Sequence, residues 1–186
     1  ASLPFTDVAD DAYYADAVVW AVAKNITSGA TATTFAPNAG CTRGQMVTFL
    51  WRANGSPEPK SMTTSFTDVK SGAYYEKAVI WAAANGIVTG TDSTSFSPDA
   101  KVTREQLAVM LLRYADLCGY DTSARTSLKD FADAAKVSDY AADAMQWAVA
   151  NGVINGTPAT TLEPAGTATR AQAATVLVRF QNSMKS

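Results

Sequence analysis

The 186-residue chain has a net charge of −2, with 47% hydrophobic and 17% charged residues. This composition supports a buried core, and the lack of a basic excess argues against a nucleic-acid-binding protein. No apolar run approaches the roughly 20 residues that cross a bilayer, so no membrane insertion is expected, and no secretory signal opens the chain. Because the first residue is not Met, we interpret the chain as a mature form or an excised fragment.

The chain contains no histidine. This excludes Ser-His-Asp and Cys-His nucleophilic catalysis, and it leaves Cys41, Cys118 and carboxylates as a poor ligand set for zinc. The two cysteines are far apart and lack CxxC spacing, which favours free thiols over a disulfide. We therefore predict a protein that is not an enzyme and that needs no metal or cofactor.

An internal repeat organises the chain. The sequence FTDV at 5–8 returns at 66–69 and, as FADA, at 131–134. In each copy an arginine follows a tryptophan by 23 residues. These pairs are Trp20 and Arg43, Trp81 and Arg104, and Trp147 and Arg170. Identical spacing in three copies indicates a true repeat, and we divide the chain into units 1–60, 61–125 and 126–186.

Each unit is predicted to form a helix, a loop and a second helix. The first helix is alanine-rich and ends at Asn25, where the later copies have Gly86 and Gly152, residue types that tolerate the left-handed conformation closing a helix. The second helix begins at Thr42, Thr103 or Thr169, each followed three residues later by Gln, which is the spacing of a capping box. The second helices are apolar on most sides and are predicted to lie centrally.

A unit of about 60 residues buries little apolar surface alone. The three units are therefore expected to share one core around a common axis. The predicted fold is all-α, with three helix-loop-helix repeats forming one pseudo-threefold trimer around a central helical bundle.

Several segments carry a family resemblance. They are the F-x-D-V sequence, NGIVTG at 85–90, FSPDAKVTREQ at 96–106 and the closing apolar helix. With them, the chain resembles a tandem of three S-layer homology (SLH) motifs over nearly all of its length. The resemblance implies a three-pronged, extracellular domain of a larger surface protein. Such domains anchor their parent protein non-covalently to an acidic secondary cell wall polysaccharide that is linked to peptidoglycan and often carries a pyruvate ketal.

The family signature Thr-Arg-Ala-Glu is altered here. It occurs as 42–45 TRGQ, 103–106 TREQ and 169–172 TRAQ. Gln in the fourth position keeps the capping box but removes a carboxylate. Copy two has the most regular pattern, so Arg104 is expected to contribute most to binding.

Arg43, Arg104 and Arg170 are the leading candidates for carbohydrate binding. A helix N-terminus with an arginine beside it attracts an anion, because free N–H groups, the helix dipole and a bidentate guanidinium act together. The alternative is that each arginine pairs with Asp7, Asp68 or Asp133 and ties the repeats together. These aspartates are themselves candidate site residues near the family's groove, although turns or helix caps are the simpler interpretation.

Aromatic and glycine positions complete the candidate site. A tyrosine can stack on a sugar and still form a hydrogen bond, and glycines can form turns or leave room for a glycan. The candidates are Tyr13, Tyr74 and Tyr140, together with Gly29, Gly90 and Gly156. The repeated tryptophans are predicted to belong mainly to the core. A second arginine set, nine residues after the first, is predicted to be structural because it lies near helix C-termini; it comprises Arg52, Arg113 and Arg179.

Two other function classes compete with a carbohydrate-binding anchor. A protein–protein interaction module of a cell-surface assembly is the main alternative, although GTDSTSFSPD at 90–99 lacks the calcium-loop spacing of a dockerin. A glycosidase needs two facing carboxylates, and the acidic residues here are scattered.

Overall fold

A computed structural model describes residues 3–156 and 160–184, and this part of the chain forms two α-helices in each repeat. The helices are α1 (Ala15–Ala23), α2 (Arg43–Ala53), α3 (Glu76–Ala84), α4 (Arg104–Leu117), α5 (Ala142–Ala150) and α6 (Arg170–Met184). Two short 3-10 turns, Ala134–Lys136 and Asp139–Ala141, precede α5. Among the described residues, β-structure is limited to isolated bridges. The all-α, three-repeat prediction is confirmed.

The predicted capping boxes are present. At α2, the Gln45 backbone N–H donates to the Thr42 hydroxyl (3.1 Å), and the Thr42 N–H donates to Oε1 of Gln45 (2.9 Å). The same reciprocal pairs occur at 103/106 and 169/172. These bonds satisfy donors that a helix start otherwise leaves free, so the Thr-x-x-Gln spacing fixes where each second helix begins.

The residues that follow the first helices adopt the left-handed conformation, as predicted. The φ angles are 59° at Asn25, 72° at Gly86 and 66° at Gly152. A glycine enters this region without a steric penalty, and asparagine is the next best residue. The turn ends α1, α3 and α5 after nine residues each and directs the chain into the loop.

The helices pair between repeats in a cyclic order. Each second helix packs against the first helix of the next copy, so that α2 contacts α3, α4 contacts α5 and α6 returns to α1. Isolated bridges join the same three copies, between 42 and 101, between 103 and 167, and between 40 and 169. Every repeat therefore contacts both others. The pseudo-threefold trimer with a central bundle and three prongs stays a prediction, as do the exact unit boundaries.

The main core contains aromatic side chains from several repeats. Trp147 and Phe180 are fully buried, with ring centroids 6.3 Å apart, and Trp81 packs edge-on against Tyr114 at 6.4 Å. Trp20 is half-buried against this core. The prediction that the repeated tryptophans belong mainly to the core is thus confirmed, which leaves the exposed tyrosines as the aromatic candidates for a binding surface.

The aspartate of each F-x-D-V segment closes a loop. The two carboxylate oxygens of Asp7 accept the backbone N–H groups of Phe35 (2.9 Å) and Ala36 (2.8 Å). Asp68 and Asp133 accept the equivalent pairs in their own copies. The predicted local turn or helix cap is therefore not what these groups form. Their partners lie 28 to 30 residues away, and only the folded loop brings them within reach.

The carboxylates of Asp7 and Asp133, whose pKa values are lowered in the folded chain, make its stability decrease at acid pH. Desolvation raises the pKa of Asp133, but the N–H groups of Leu162 and Glu163 outweigh it and leave the pKa below its usual range. A lowered folded-state pKa stabilises the fold above the unfolded value of about 4, and this stability is lost as pH falls through the folded value. We expect Asp133→Asn to cost about 1 kcal/mol at pH 7 and much less at pH 2, measured by urea unfolding. Asp130→Asn, at an exposed site, is the control, and an equal effect of both changes at pH 7 contradicts the assignment.

Both cysteines are free thiols, as predicted. Cys41 is fully buried, and burial raises the pKa of its thiol to about 12. It therefore behaves as a small apolar core residue. Within the described ranges, no helix has the length and apolar character needed to cross a membrane.

Candidate functional site

Three equivalent grooves lie where the repeats meet, with volumes of about 270, 290 and 240 Å³. Groove 1 is lined by Gly29, Gln45, Thr48, Arg52, Tyr74 and Arg170. Groove 2 is lined by Gly156, Gln172, Thr175, Arg179, Tyr13 and Arg104. Groove 3 is lined by Gly90, Gln106, Val109, Arg113, Tyr140 and Arg43. Each groove takes its glycine, glutamine and one arginine from one copy, its tyrosine from the next copy and its other arginine from the remaining copy.

The arginine at the start of each second helix is buried, with 8% exposure at Arg43, 7% at Arg104 and 4% at Arg170. Nε of Arg43 donates to the Phe96 carbonyl (2.9 Å), and its Nη2 donates to the Thr89 carbonyl (2.8 Å). The guanidinium also lies 4.5 Å from the centroid of the Phe96 ring. This side chain therefore joins copy one to the loop of copy two and lines groove 3 at the same time.

The other two members of this set follow the same plan with one difference. Arg104 donates from Nε to the Leu162 carbonyl (2.8 Å) and from Nη2 to the Asn155 carbonyl (3.0 Å). Of the residues that the structure describes, only Phe35 accepts a hydrogen bond from the Arg170 side chain, through its carbonyl from Nε at 2.8 Å. Burial lowers the pKa of all three guanidinium groups, although an arginine in a protein remains charged.

The predicted alternative, that these arginines pair with the repeated aspartates, is not what the contacts show. Among the described residues, no ion pair joins Arg43, Arg104 or Arg170 to an aspartate. The arginines tie the repeats together through backbone carbonyls instead, because the carboxylates are already occupied by loop N–H groups. The guanidinium edges that do not face a carbonyl are the groups left for a ligand.

The second arginine set also lies in the grooves, where sequence reasoning gave it only a structural role. Arg52 donates to the Ile26 carbonyl (3.2 Å) and lines groove 1, whereas Arg43 on the same helix lines groove 3. Nine residues correspond to two and a half helical turns, so the two side chains leave opposite faces of α2. Each second helix thus supplies one arginine to each of two grooves. The recurrence of this arginine in all three copies was the available signal.

The predicted tyrosines all line grooves. Tyr13 is 67% exposed, Tyr74 is 55% exposed and Tyr140 is 60% exposed. Tyr74 packs edge-on against Tyr75, with ring centroids 5.1 Å apart, and Tyr13 packs in the same way against its own neighbour. An exposed ring supported from behind by a second ring is suited to contact with the apolar face of a sugar.

The groove glycines are required by packing on the protein side. A Cβ at Gly29 would lie 2.4 Å from the Phe5 ring, and the φ angle there is 101°. A Cβ at Gly90 would lie 2.5 Å from the Phe66 ring and 2.3 Å from a backbone carbonyl oxygen. In addition to their predicted role in turns, these glycines therefore let the loop lie close to the phenylalanine of the F-x-D-V segment. Gly156 lines groove 2 in the equivalent place.

The charge in the grooves is positive. Each contains two arginines from different copies, and none of the described residues that line them is acidic. No three His, Cys, Asp or Glu side chains are grouped to hold a metal ion anywhere in 3–156 or 160–184. Two arginines and an exposed phenol can bind a carboxylate and a sugar ring together.

Comparisons with known proteins support the repeat assignment. A family model for the S-layer homology domain matches residues 4–47, 65–108 and 130–174. The chain is 31% identical over 95% of its length to an endoglucanase of Bacillus sp. (strain KSM-635), of which it covers 18%. It is 37% identical over 62% of its length to the surface-layer 125 kDa protein of Lysinibacillus sphaericus, of which it covers 10%.

A third relative is the cellulosome-anchoring protein of Acetivibrio thermocellus, which is 24% identical over 78% of this chain. The chain covers 33% of that relative, so it spans a third or less of the length of each of the three. The family model covers most of the chain and divides it at the same three repeats that sequence and fold define. The chain belongs to the S-layer homology domain family.

Proposed function

We propose that this chain is a non-covalent anchor that binds an acidic secondary cell wall polysaccharide, of the kind that carries pyruvate ketals and is linked to peptidoglycan. The anionic substituent contacts the arginines of a groove, and a neighbouring sugar ring packs on the exposed tyrosine. The chain acts as a cell-surface module, in line with its family and with relatives named as a surface-layer protein and a cellulosome-anchoring protein.

One observation carries this proposal. All three grooves combine two arginines from different copies with one exposed tyrosine, without an acidic side chain among the described lining residues. The core does not require the tyrosine, since a side chain that is more than half exposed adds little buried area. Arginine recognises carboxylates through paired N–H groups, and tyrosine offers a ring face together with a hydroxyl.

The chain is proposed to serve a larger protein. It covers a third or less of the three relatives described above, one of which is named as an enzyme. The catalytic name of that relative belongs to a protein of which this chain matches 18%. We infer that the chain supplies attachment and no catalysis, while the parent protein supplies the activity displayed at the surface.

Sedimentation with purified cell walls tests this function. The protein should pellet with intact walls and remain in solution with walls from which the polysaccharide has been extracted by acid. Pelleting with walls that retain only peptidoglycan contradicts the proposed ligand. Failure to pellet with any wall preparation, combined with capture by a surface protein, favours the alternative protein-interaction module.

We expect wall binding to weaken with salt and to be insensitive to chelators. Raising NaCl from about 0.1 M to about 1 M shortens the screening length from about 10 Å to about 3 Å, which weakens arginine–carboxylate attraction. The dependence should be shallower than for a nucleic-acid-binding protein, because each groove neutralises one or a few charges. Sedimentation across a salt series, with and without EDTA, measures both effects, and loss of binding in EDTA contradicts the metal-free contact.

A further inference from the structure

We propose that the three grooves differ in affinity for a carboxylate ligand, that groove 1 binds it most tightly, and that Glu105 and Glu163 weaken grooves 3 and 2. This inference rests on the proposed function and assigns a rank to its sites. The rank differs from the one that sequence regularity predicts, which favours Arg104 in groove 2.

Arg170 has the most unused hydrogen-bonding capacity of the three buried arginines. It is 96% buried in groove 1 and donates only from Nε, so that no partner among the described residues accepts from its two terminal nitrogens. Arg43 and Arg104 each also use Nη2 on a loop carbonyl. A buried charged group with free donors gains most from a ligand that accepts them.

Glu105 changes groove 3. This buried carboxylate accepts the N–H of Ser138 (2.9 Å) and its hydroxyl (2.6 Å), and the Tyr140 hydroxyl donates to it at 3.3 Å. The tyrosine of groove 3 is thus tied to an anion, and its hydroxyl proton is not free for a ligand. The equivalent residues beside the other two tyrosines are Gly44 and Ala171, which have neither charge nor acceptor.

Glu163 changes groove 2. It follows Leu162, whose carbonyl holds Arg104, and its negative charge acts on the Arg104 guanidinium. The residues that occupy this place in the other copies are Ala36 and Ser97. Glu163 therefore competes with an anionic ligand for the positive charge of Arg104. Among the described residues, the carboxylate that acts on Arg170 is the repeated aspartate, Asp7, and each of the other two arginines has the equivalent aspartate as well.

One further charge differs between the grooves. The exposed Asp99 acts on Tyr74 of groove 1, and the other copies have Asn38 and Ala165 at this position. Its charge acts on the phenol, whereas the carboxylate that acts on Arg170 is Asp7.

The F-x-D-V aspartates hold equivalent loop N–H groups in all three copies. Each groove also has one member of the second arginine set. Only groove 1 has an uncharged residue at both variable positions, Gly44 and Ala36. Groove 3 further has Val109 where the others have threonine.

An NMR titration of the intact chain tests this rank with one reporter for each groove. The probe is a methyl hexoside carrying a pyruvate ketal, and its methyl ester is the uncharged control. The backbone amides of Gly29, Gly156 and Gly90 report on grooves 1, 2 and 3. The acidic probe should shift the Gly29 signal at the lowest concentration, and the ester should bind much more weakly at every groove.

Matched variants add a negative charge beside groove 1 or remove it from grooves 2 and 3. Ala36→Glu should weaken binding at Gly29 about three- to tenfold, the range expected for one added charge at a partly exposed site, whereas Ala36→Gln should not. Glu163→Gln and Glu105→Gln should strengthen binding at Gly156 and Gly90 by a similar factor. The three reporter amides show in the same spectra that each variant is folded.

The outcomes separate the two proposals. Equal affinities at the three reporters, or tightest binding at Gly90 or Gly156, overturn the rank while leaving the proposed function in place. Binding to walls without any shift by the acidic probe overturns the rank and excludes this carboxylate as the recognised group. If the unmodified chain binds neither walls nor probe, the proposed function and the rank both fail.

Discussion

Removal of residues 126–186 is expected to abolish cooperative unfolding of the remaining chain. The deletion takes away α5 and α6, which cover α4 and α1, and with them the bridges at 103 and 40. It exposes the apolar faces of two helices at once, whereas a linear repeat protein would lose only one interface. A chain with so little remaining core should show a broad, weak thermal transition by circular dichroism.

The control for this deletion is the same chain cleaved by a protease between its second and third repeats. A protease site placed in the connector between α4 and α5, at the exposed residues 123–124, divides the same chain without removing any helix. Because the interhelical contacts do not depend on that connector, the two fragments should stay together and melt cooperatively after cleavage. A sharp, two-state melt of the deleted chain at a similar temperature contradicts the cyclic packing.

Arg43→Ala is expected to lower the melting temperature by about 10 °C. The change removes both donors to the Phe96 and Thr89 carbonyls and the contact with the Phe96 ring, and it leaves a cavity at an 8% exposed site. Such losses cost about 3–5 kcal/mol together, and each kcal/mol corresponds to roughly 2–4 °C in a chain of this size. Arg43→Lys keeps the charge but loses the two-pronged guanidinium. Its melting temperature should therefore lie between those of Arg43→Ala and the unmodified chain.

Arg125→Ala is the matched control for Arg43→Ala. Arg125 pairs with Asp143 at 2.7 Å, and the two side chains are 30% and 69% exposed. An exposed pair contributes about 0–1 kcal/mol, so its loss should change the melting temperature little. Equal shifts for the two variants indicate that the buried arginines do not join the repeats. Wall binding by the folded fraction of each variant then separates a ligand role from a structural one.

Local features of the repeat were predictable because their causes lie close together in sequence. The Thr-x-x-Gln spacing determines a helix start within four residues, and the position of Asn25 or its glycine equivalents determines a helix end. The recurrence of Trp and Arg at a constant distance established the number of units without any knowledge of their arrangement. The same short segments also carried the family resemblance.

The arrangement between repeats was harder to predict. Since the three copies share one pattern, α2 could pack its apolar face against α1 or against α3. The hydrophobic periodicity is compatible with both arrangements. The partners of Arg43 depend on that choice, because they lie in copy two. The partners of Asp7 lie in its own copy, but they are 28 and 29 residues away, and periodicity does not show that the loop brings them within reach. Arg52 lies half a turn from Arg43 around α2, and this offset suggests a binding role only if α2 lies between two grooves. The sequence does not show that arrangement, so it predicts only a structural role for Arg52.

The return of α6 to α1 gives the molecule a fixed copy number. An open array can gain or lose a unit at either end and be sealed by a polar cap, but here each copy covers one neighbour and is covered by the other. A fourth copy would have to displace α6 from α1, and two copies would leave one helix face on each side bare. A single copy has the same two unsatisfied faces, which three separate chains could cover for one another. The tandem chain can thus be understood as the covalent form of an assembly of three single-motif chains.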